Sequence, residues 1–177
     1  MHHYKIVITD SDYEDFSAER EILEPIGCEI VKLNVRDEDV LARLLRDADG
    51  VLFQWAKLTA PVIDAMDHCR VLAKYATGTD GVDLRAATAR RICVTNVTDY
   101  CTEEVSDHAC AMLLALSRGL PLHDRNIRRG IYDYHAAKCL PDLRQGVLGI
   151  VGFGRIARRV IQKMRPFCRE IQVASRA

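Results

Sequence analysis

Short apolar runs alternate with amphipathic stretches along the first hundred residues of the chain. Five runs rich in β-branched residues have the length and composition of strands, with polar or turn-forming residues around them. They are YKIVITD (residues 4–10), CEIVKLNV (28–35), GVLFQ (50–54), VLAKYA (71–76) and ICVTNV (92–97). Near-continuous apolar runs are typical of strands covered on both faces, and the spacing between them requires crossover connections. The pattern therefore predicts an α/β fold with a parallel sheet.

The segment between the second and third predicted strands has helical periodicity. Apolar residues recur there at positions 40, 41, 44, 45 and 48, which form one stripe along an α-helix. Asp37 is the expected N-cap of this helix, and Gly50 follows its end. We expect the stripe to cover one face of the sheet.

The character of the chain changes near residue 99, where a mostly helical region begins. An apolar face that includes Met112 and Leu116 runs along its first predicted helix, for which Thr102 is the expected N-cap. Gly119 breaks the pattern. This change predicts a domain boundary, with residues 1–99 and 100–177 in separate domains.

The most specific motif lies in the second predicted domain, between the strands at 147–151 and 170–175. In VLGIVGFGRIARRV, Gly152, Gly154 and Ala157 match the pattern G-x-G-x-x-[GA] directly after a strand and at the start of a helix, predicted over 156–167. The first glycine permits a tight turn, the second allows close approach of a pyrophosphate, and the small third residue lets helix and sheet pack closely. The motif predicts dinucleotide binding. The alternative is a plain strand-turn-helix corner.

A dinucleotide bound at this turn would place its phosphates at the helix N-terminus, on N–H groups around Arg155 and Ile156. A carboxylate that binds the ribose 2′-hydroxyl is expected about 20 residues further on. The chain has Ser175 and Arg176 there. A hydroxyl and a guanidinium suit a 2′-phosphate better than a free diol, so the sequence favours NADP over NAD. The alternative is that Arg176 is a solvated surface residue.

A second glycine-rich segment, KYATGTDGVD, follows the fourth predicted strand and contains Thr77 and Gly78. A bend of this kind at the carboxyl end of a parallel strand presents backbone N–H groups to a small anion. We expect a small anionic substrate to bind there. The alternative is an ordinary β-to-α turn in which Asp83 caps the next helix.

Charge and cysteine content narrow the function classes. Lys and Arg number 25, Asp and Glu also number 25, and the pI is about 7.0, so nucleic acid is not expected as the main partner. The longest apolar run is far shorter than the roughly 20 residues of a membrane span. The seven cysteines include no C-x-x-C pair, which disfavours a disulfide framework and a zinc site. Free thiols predict a reducing compartment, the cytoplasm, and we expect no metal.

Three motifs together resemble the D-isomer-specific 2-hydroxyacid dehydrogenase family, which includes phosphoglycerate dehydrogenases, glyoxylate/hydroxypyruvate reductases and the C-terminal-binding-protein corepressors. They are KYATGTDGVDL, ICVTNVTDYCTEEVSDHACAMLLALSR and LGIVGFGRIARRV, in the family's order over about residues 70–177. The resemblance implies a flavodoxin-like substrate domain over residues 1–99. It implies the first βαβ part of a Rossmann NAD(P)-binding domain over residues 100–177.

The resemblance also implies roles for individual residues. Backbone amides at Thr77 and Gly78 would hold the substrate carboxylate, Thr102 would lie near the cofactor, and Arg155 and Ile156 match the pyrophosphate-binding positions. The implied reaction is hydride transfer between the nicotinamide of NAD or NADP and the 2-carbon of a small D-2-hydroxy or 2-oxo acid.

The family's catalytic arginine, histidine and carboxylate are expected beyond Ala177, so no catalytic residue is assigned. The 177-residue chain alone is expected to be an inactive portion that binds substrate and cofactor. The alternative is a non-catalytic nucleotide-binding regulator of the corepressor type, or an inactive truncated gene product. The resemblance further implies a homodimer, with the helix that holds Met112 and Leu116 as a candidate interface; the alternative is that this helix belongs to the core.

Overall fold

A computed structural model describes residues 4–136, 140 and 142–176 of the chain. It divides into two compact units, residues 1–99 and 100–177. Each unit contains its own parallel sheet. Cys139 and Ala177 lie outside the described residues. The expectation that the family's catalytic residues follow Ala177 stays a prediction.

The first unit alternates strands and helices. Its elements are β1 (Tyr4–Ile8), α1 (Ser17–Leu23), a 3-10 helix (Glu24–Ile26), β2 (Cys28–Lys32), α2 (Glu38–Leu44), β3 (Gly50–Phe53), α3 (Ala60–Asp64), β4 (Val71–Lys74), α4 (Leu84–Ala89) and β5 (Cys93–Asn96). The sheet order is β2-β1-β3-β4-β5, and all neighbouring strands are parallel. This is the strand order of flavodoxin-like sheets, so the predicted fold class is confirmed. In the structure, each of these five strands ends one to three residues before the end of the apolar run that predicted it.

The core of the first unit lies between the sheet and its helices. Val7, Val51 and Leu72 are paired in register across β1, β3 and β4, and all three are buried. Leu41 and Leu45 of the α2 segment belong to the same buried cluster. Full burial of side chains of this size contributes roughly 1.5–3 kcal/mol each, so this unit has a continuous apolar core.

Aspartates define the starts of two helices in the first unit. The carboxylate of Asp37 accepts a hydrogen bond from the Val40 amide at 3.0 Å, which confirms its predicted capping role. Asp83 accepts from the amides of Arg85 and Ala86 and caps α4. Helix α2 ends at Leu44, so the prediction of one helical stripe through residue 48 is too long; the buried Ala48 lies in the turn that follows.

The second unit begins with two helices and continues into a βαβ unit. Its elements are α5 (Thr102–Ser117), α6 (Leu120–Arg128), β6 (Val147–Val151), α7 (Arg155–Met164) and β7 (Glu170–Ala174). Strands β6 and β7 pair in parallel on either side of α7 in the chain, as predicted for the start of a Rossmann domain. Helix α7 begins at Arg155 and ends at Met164, so the predicted helix over 156–167 runs too far; Pro166 lies just beyond its end.

Helix α5 differs from its prediction at its first residue. Cys101 occupies the N-cap position, so Thr102 is the first helical residue and not the cap. The predicted apolar face is exposed at Met112 and Leu116. Helix α5 packs against α7, and Ser106 of α5 contacts Lys163 of α7. The buried residues of α5 are Ser106, Cys110 and Ser117.

Several features of the described part of the chain bear on its surroundings. The cysteines described there are in the thiol form: Cys28, Cys69, Cys93, Cys101, Cys110 and Cys168. Across residues 4–136, 140 and 142–176, no helix combines the length and the apolar character needed to cross a membrane. In the same ranges, no group of three His, Cys, Asp or Glu side chains is placed to bind a metal ion.

Candidate functional site

The glycine-rich bend predicted to bind an anion (residues 77–81, the Gly bend) lies at the carboxyl edge of the first sheet, directly beyond β4. Thr77 and Gly78 are both exposed. A Cβ atom on Gly78 would lie 3.2 Å from the Asp80 carboxylate, so a larger residue would crowd the bend. The edge where parallel strands end is the usual ligand site of such sheets.

Neighbouring segments hold the Gly bend at both ends. The Asn96 side-chain amide donates a hydrogen bond to the Thr77 carbonyl at 2.5 Å. At the other end, the Leu58 amide donates to the Gly81 carbonyl at 2.8 Å, and Leu58 pairs with Val82 in an isolated parallel bridge. The bend is therefore connected both to the end of β5 and to the loop after β3.

The loop after β3 takes its shape from Asp10, whose side chain is completely buried at the end of β1. Its carboxylate accepts hydrogen bonds from the backbone amides of Gln54, Trp55 and Ala56 at 3.2, 2.9 and 3.1 Å. It also accepts from the Arg36 guanidinium at 3.0 Å. One carboxylate thus fixes three consecutive residues beside the Gly bend.

The pKa of Asp10 reflects two opposing effects. Burial disfavours the charged form and raises the pKa. The hydrogen bonds from the Trp55, Ala56 and Gln54 amides and from the Thr9 hydroxyl outweigh burial, so the pKa lies below the ordinary aspartate value. Asp10 is therefore ionised at neutral pH and serves as a structural anion.

Three residues at this edge were not predicted from the sequence: Asp10, Trp55 and Asn96. Trp55 is 57% exposed, and its indole N–H donates to the Asp12 carboxylate at 2.9 Å. All three lie at or just beyond the carboxyl end of a predicted strand. That position was a usable signal, because side chains at this edge of a parallel sheet face the ligand site.

The predicted dinucleotide turn (residues 152–154, the fingerprint turn) connects β6 to α7. Gly152 has φ +96°, a conformation that favours glycine, and its amide donates to the Ala174 carbonyl at 2.7 Å. Gly154 is the N-cap of α7 and provides no side-chain cap. Apart from the residues adjacent to each glycine in the chain and the start of its own helix, no described atom lies within 4 Å of a Cβ placed on either glycine. The turn therefore has room for a pyrophosphate.

A cleft of about 600 Å³ opens beside the fingerprint turn. The structure brings together three predicted cofactor residues here, Gly152, Ser175 and Arg176, with Val151 and Ala174 completing the lining. The Ser175 hydroxyl donates to the Arg176 carbonyl at 3.1 Å. The cleft size lies within the range of about 300–1,000 Å³ typical of small-molecule sites.

The remaining predicted cofactor residues lie at the starts of two helices. Arg155, Ile156 and Ala157 form the first turn of α7, where the helix does not use its own N–H groups and can bind an anion. Arg155 and Ile156 are exposed, and Ala157 is half-buried. Thr102 is half-buried at the start of α5. The parts described here fit a dinucleotide.

Charged side chains join α5 to α7 close to these helix starts. Glu103 pairs with Arg159 at 2.6 Å and with Lys163 at 2.8 Å, and Lys163 also pairs with Asp107 at 2.7 Å. We name these four residues the clamp. Hydrogen bonds to Asp107 and Glu103 raise the pKa of Lys163. Arg159 and Lys163 are thus directed towards carboxylates of α5.

Comparison with known proteins places this geometry in context. The profile described as "D-isomer specific 2-hydroxyacid dehydrogenase, catalytic domain" matches residues 6–176. D-3-phosphoglycerate dehydrogenase of Methanocaldococcus jannaschii is 30% identical over 164 residues, covering 92% of this chain and 30% of the relative. Glyoxylate reductase of Thermococcus kodakarensis is 34% identical over 146 residues, covering 78% of this chain and 44% of the relative.

Solved structures show the same fold. NAD-dependent formate dehydrogenase of Staphylococcus aureus, in complex with NAD, superposes with a TM-score of 0.78 at 26% identity, covering 97% of this chain and 55% of that one. D-lactate dehydrogenase of Aquifex aeolicus, with NAD and lactic acid, gives a TM-score of 0.81 at 21% identity, covering 97% and 56%. The chain thus spans about a third to a half of the two curated relatives. Since the family profile matches nearly its whole length, the chain belongs to the D-isomer-specific 2-hydroxyacid dehydrogenase family.

Proposed function

We propose that this chain is the substrate-binding and cofactor-binding portion of an NAD(P)-dependent oxidoreductase. The enzyme would oxidise a small D-2-hydroxy acid or reduce the matching 2-oxo acid, with its catalytic arginine, histidine and carboxylate beyond Ala177. The main support is the fingerprint turn, which lies between parallel strands and opens into a cleft with Ser175 and Arg176, in a chain of this family. Residues 1–99 would form the substrate domain, and residues 100–177 would begin the Rossmann domain.

Each predicted site residue then has a role. The amides of Thr77 and Gly78 bind the substrate carboxylate, which the Gly bend favours because it is exposed and held at both ends. When bound, the nicotinamide supplies or accepts the hydride. Thr102 lies near the cofactor. The pyrophosphate is held by Gly152, Gly154, Arg155, Ile156 and Ala157.

We propose a preference for NADP over NAD. The end of β7 presents Ser175 and Arg176 to the cleft in place of a carboxylate, and a guanidinium matches a phosphate in charge and geometry. Substitution Arg176→Gln is expected to weaken NADPH binding roughly tenfold and to leave NADH binding unchanged. Equal loss for both cofactors would contradict the preference.

Two further proposals concern the environment of the protein. The exposed apolar face of α5, with Met112 and Leu116, supports a homodimer that buries this helix. Light scattering on the unsubstituted protein and on Leu116→Glu tests it: we expect a dimer for the first and a monomer for the second.

The thiol form of the described cysteines supports a reducing, cytoplasmic location.

The deciding experiment titrates NADH and NADPH into the full-length protein, which under this proposal includes the catalytic residues beyond Ala177, and follows the fluorescence of the reduced nicotinamide. Turnover is then tested with glyoxylate, hydroxypyruvate and 3-phosphohydroxypyruvate. Gly78→Ala is expected to raise KM for the acid about tenfold without changing KM for the cofactor, because the new Cβ crowds Asp80. Gly146→Ala is the matched control, since its Cβ has only ordinary contacts. No cofactor binding would overturn the proposal, and binding without turnover would favour a nucleotide-binding regulator.

A further inference from the structure

We infer that Glu103 and Lys163 are positioning residues for the cofactor, because the clamp fixes the start of α5 against the fingerprint helix α7. The inference rests on the proposed function. It gives these two side chains a role that neither the G-x-G pattern nor the cleft lining indicates.

The clamp is formed by one matched face on each helix. Glu103 and Asp107 are four residues apart on α5, and Arg159 and Lys163 are four residues apart on α7, so each pair lies on a single face. The two oxygens of Glu103 are divided between partners: Oε1 contacts Arg159 and Oε2 contacts Lys163. This division defines both the distance and the rotation of one helix relative to the other.

Lys163 is at the centre of the clamp and is held more tightly than an ordinary surface lysine. Its ammonium group donates to the Ser106 hydroxyl at 2.6 Å and to the Glu103 backbone carbonyl at 3.2 Å, in addition to its two carboxylate partners. Ser106 is fully buried. A single exposed ion pair contributes little, but Lys163 is only 27% exposed and shares its partners with a buried hydroxyl, and groups in one network are coupled more strongly than an isolated pair.

The position of the clamp connects it to the cofactor. Glu103 follows Thr102 directly in the chain, and Arg159 lies about one turn beyond Arg155, which begins α7. A slide or rotation of α7 against α5 would therefore move Thr102 and the pyrophosphate-binding amides relative to each other. The clamp holds Thr102 and the pyrophosphate-binding amides in one arrangement in the unbound protein, so less conformational entropy is lost when the cofactor binds.

The clamp also changes the interpretation of the basic residues on α7. Arg159 and Lys163 could serve as phosphate ligands on sequence grounds. In the structure their charged groups contact the carboxylates of Glu103 and Asp107. Loss of Lys163 would thus act on the cofactor through helix position, and loss of Glu103 would have the same effect although it removes a negative charge.

The test compares the loss of the negative Glu103 with the loss of the positive Lys163, because the inference expects both to weaken binding. The affinities of the full-length protein for NADPH and NADH are measured by fluorescence. Glu103→Gln and Lys163→Met are each expected to weaken binding about tenfold, and the double variant by little more than either. Lys163→Arg should restore most of the affinity. Glu104→Gln is the matched control: it removes the same charge from the same turn, but it lies about 100° around the helix and should bind normally.

A merely structural role is tested with Cys110→Ala, which removes a buried side chain of α5 and leaves the clamp intact. Circular dichroism confirms that each variant is folded at the assay temperature; if Lys163→Met is not, the near-isosteric Glu103→Gln carries the test. If Glu103→Gln binds the cofactor with the affinity of the unsubstituted protein, this inference is overturned and the proposed function is not. Equal weakening by Glu104→Gln or Cys110→Ala would also overturn it. A parent protein that binds neither cofactor would overturn both the inference and the proposed function.

Discussion

The two units of this chain use similar strand sequences in different surroundings. Val51 in β3 and Val151 in β6 both lie in parallel apolar strands, but Val51 is 1% exposed and Val151 is 94% exposed. The first unit surrounds its sheet with a continuous apolar cluster. In the described part of the second unit, the buried apolar side chains are Cys110 and Met164, and the prominent contacts between its helices are the ion pairs of the clamp.

This contrast shows that apolar strand sequence does not by itself produce burial. Within this 177-residue chain, five paired strands with helices packed on them remove most of the first sheet from water, whereas β6 and β7 have only each other as described neighbours. We expect the first unit to owe its stability to packing and to buried polar anchors. The second unit should respond less to truncation of apolar strand residues. The following changes test this difference, beginning with the largest.

Removal of Asp10 should have the largest effect, because its buried carboxylate satisfies three backbone amides and a guanidinium. We expect Asp10→Ala to lower the free energy of unfolding of the first unit by about 3–5 kcal/mol. Urea unfolding followed by the fluorescence of Trp55, the single tryptophan, measures it. A loss below about 1 kcal/mol would show that the loop after β3 does not need this anchor.

The pH dependence of stability provides an independent measurement on Asp10. Its pKa is lowered in the folded state, so its contribution is complete above the ordinary value of 3.8 and is lost as pH falls through the lower folded-state pKa. Asp10→Asn should therefore be less stable at neutral pH and should lose less stability than the parent on acidification below pH 3.8. Parallel pH curves for the two proteins would contradict the assignment.

The matched valines test the comparison directly. Val51→Ala should cost about 2–3 kcal/mol, because it removes two buried carbon atoms from a packed core. In the 177-residue chain measured on its own, Val151→Ala makes the identical change on an exposed strand and should cost less than about 0.5 kcal/mol. Urea unfolding by Trp55 fluorescence reports the first unit, and far-ultraviolet circular dichroism reports both. Equal costs would mean that the second sheet is covered in solution.

Effects smaller than that of Val51→Ala are expected at two backbone positions with positive φ. Arg91 in the first unit has φ 58°, and Gly119 in the second has φ 64°. Arg91→Gly should stabilise the protein by about 0.5 kcal/mol, since relief of the left-handed strain exceeds the entropic cost of glycine. Gly119→Ala should destabilise by about 1 kcal/mol. Thermal melts of both variants measure the changes, and shifts of the same sign would exclude backbone strain as the cause.

Local patterns were sufficient to predict the sheet, the two units' strands and the fingerprint turn. Apolar runs and their spacing depend on near neighbours in the chain, as do the cap at Asp37 and the break at Gly119. The placement of Gly152 beside Ser175 and Arg176 follows from the βαβ connection, which brings the ends of two parallel strands together. These features need no knowledge of distant contacts.

Features that depend on distant contacts were not predictable. Asp10 meets residues 54–56 across more than 40 positions, and Lys163 meets Glu103 across 60. The sequence left the apolar face of α5 open as an interface or as part of the core, and in the structure Met112 and Leu116 are exposed while Ser106 and Cys110 are buried. Periodicity identifies a face without identifying its partner.

The bridge between Leu58 and Val82 has a consequence for protein engineering. The Tyr75 amide donates to the Phe53 carbonyl at 2.9 Å. The loop of residues 76–81 is therefore held at one end by this hydrogen bond and at the other by the bridge between Leu58 and Val82. We expect the fold to tolerate substitutions in a loop that is held at both ends. Libraries that vary Thr79 and Asp80, and keep Thr77 and Gly78 as the proposed carboxylate-binding residues, should yield folded proteins at high frequency, whereas insertions at Leu58 or Val82 should not. Selection for activity on new acids would begin there.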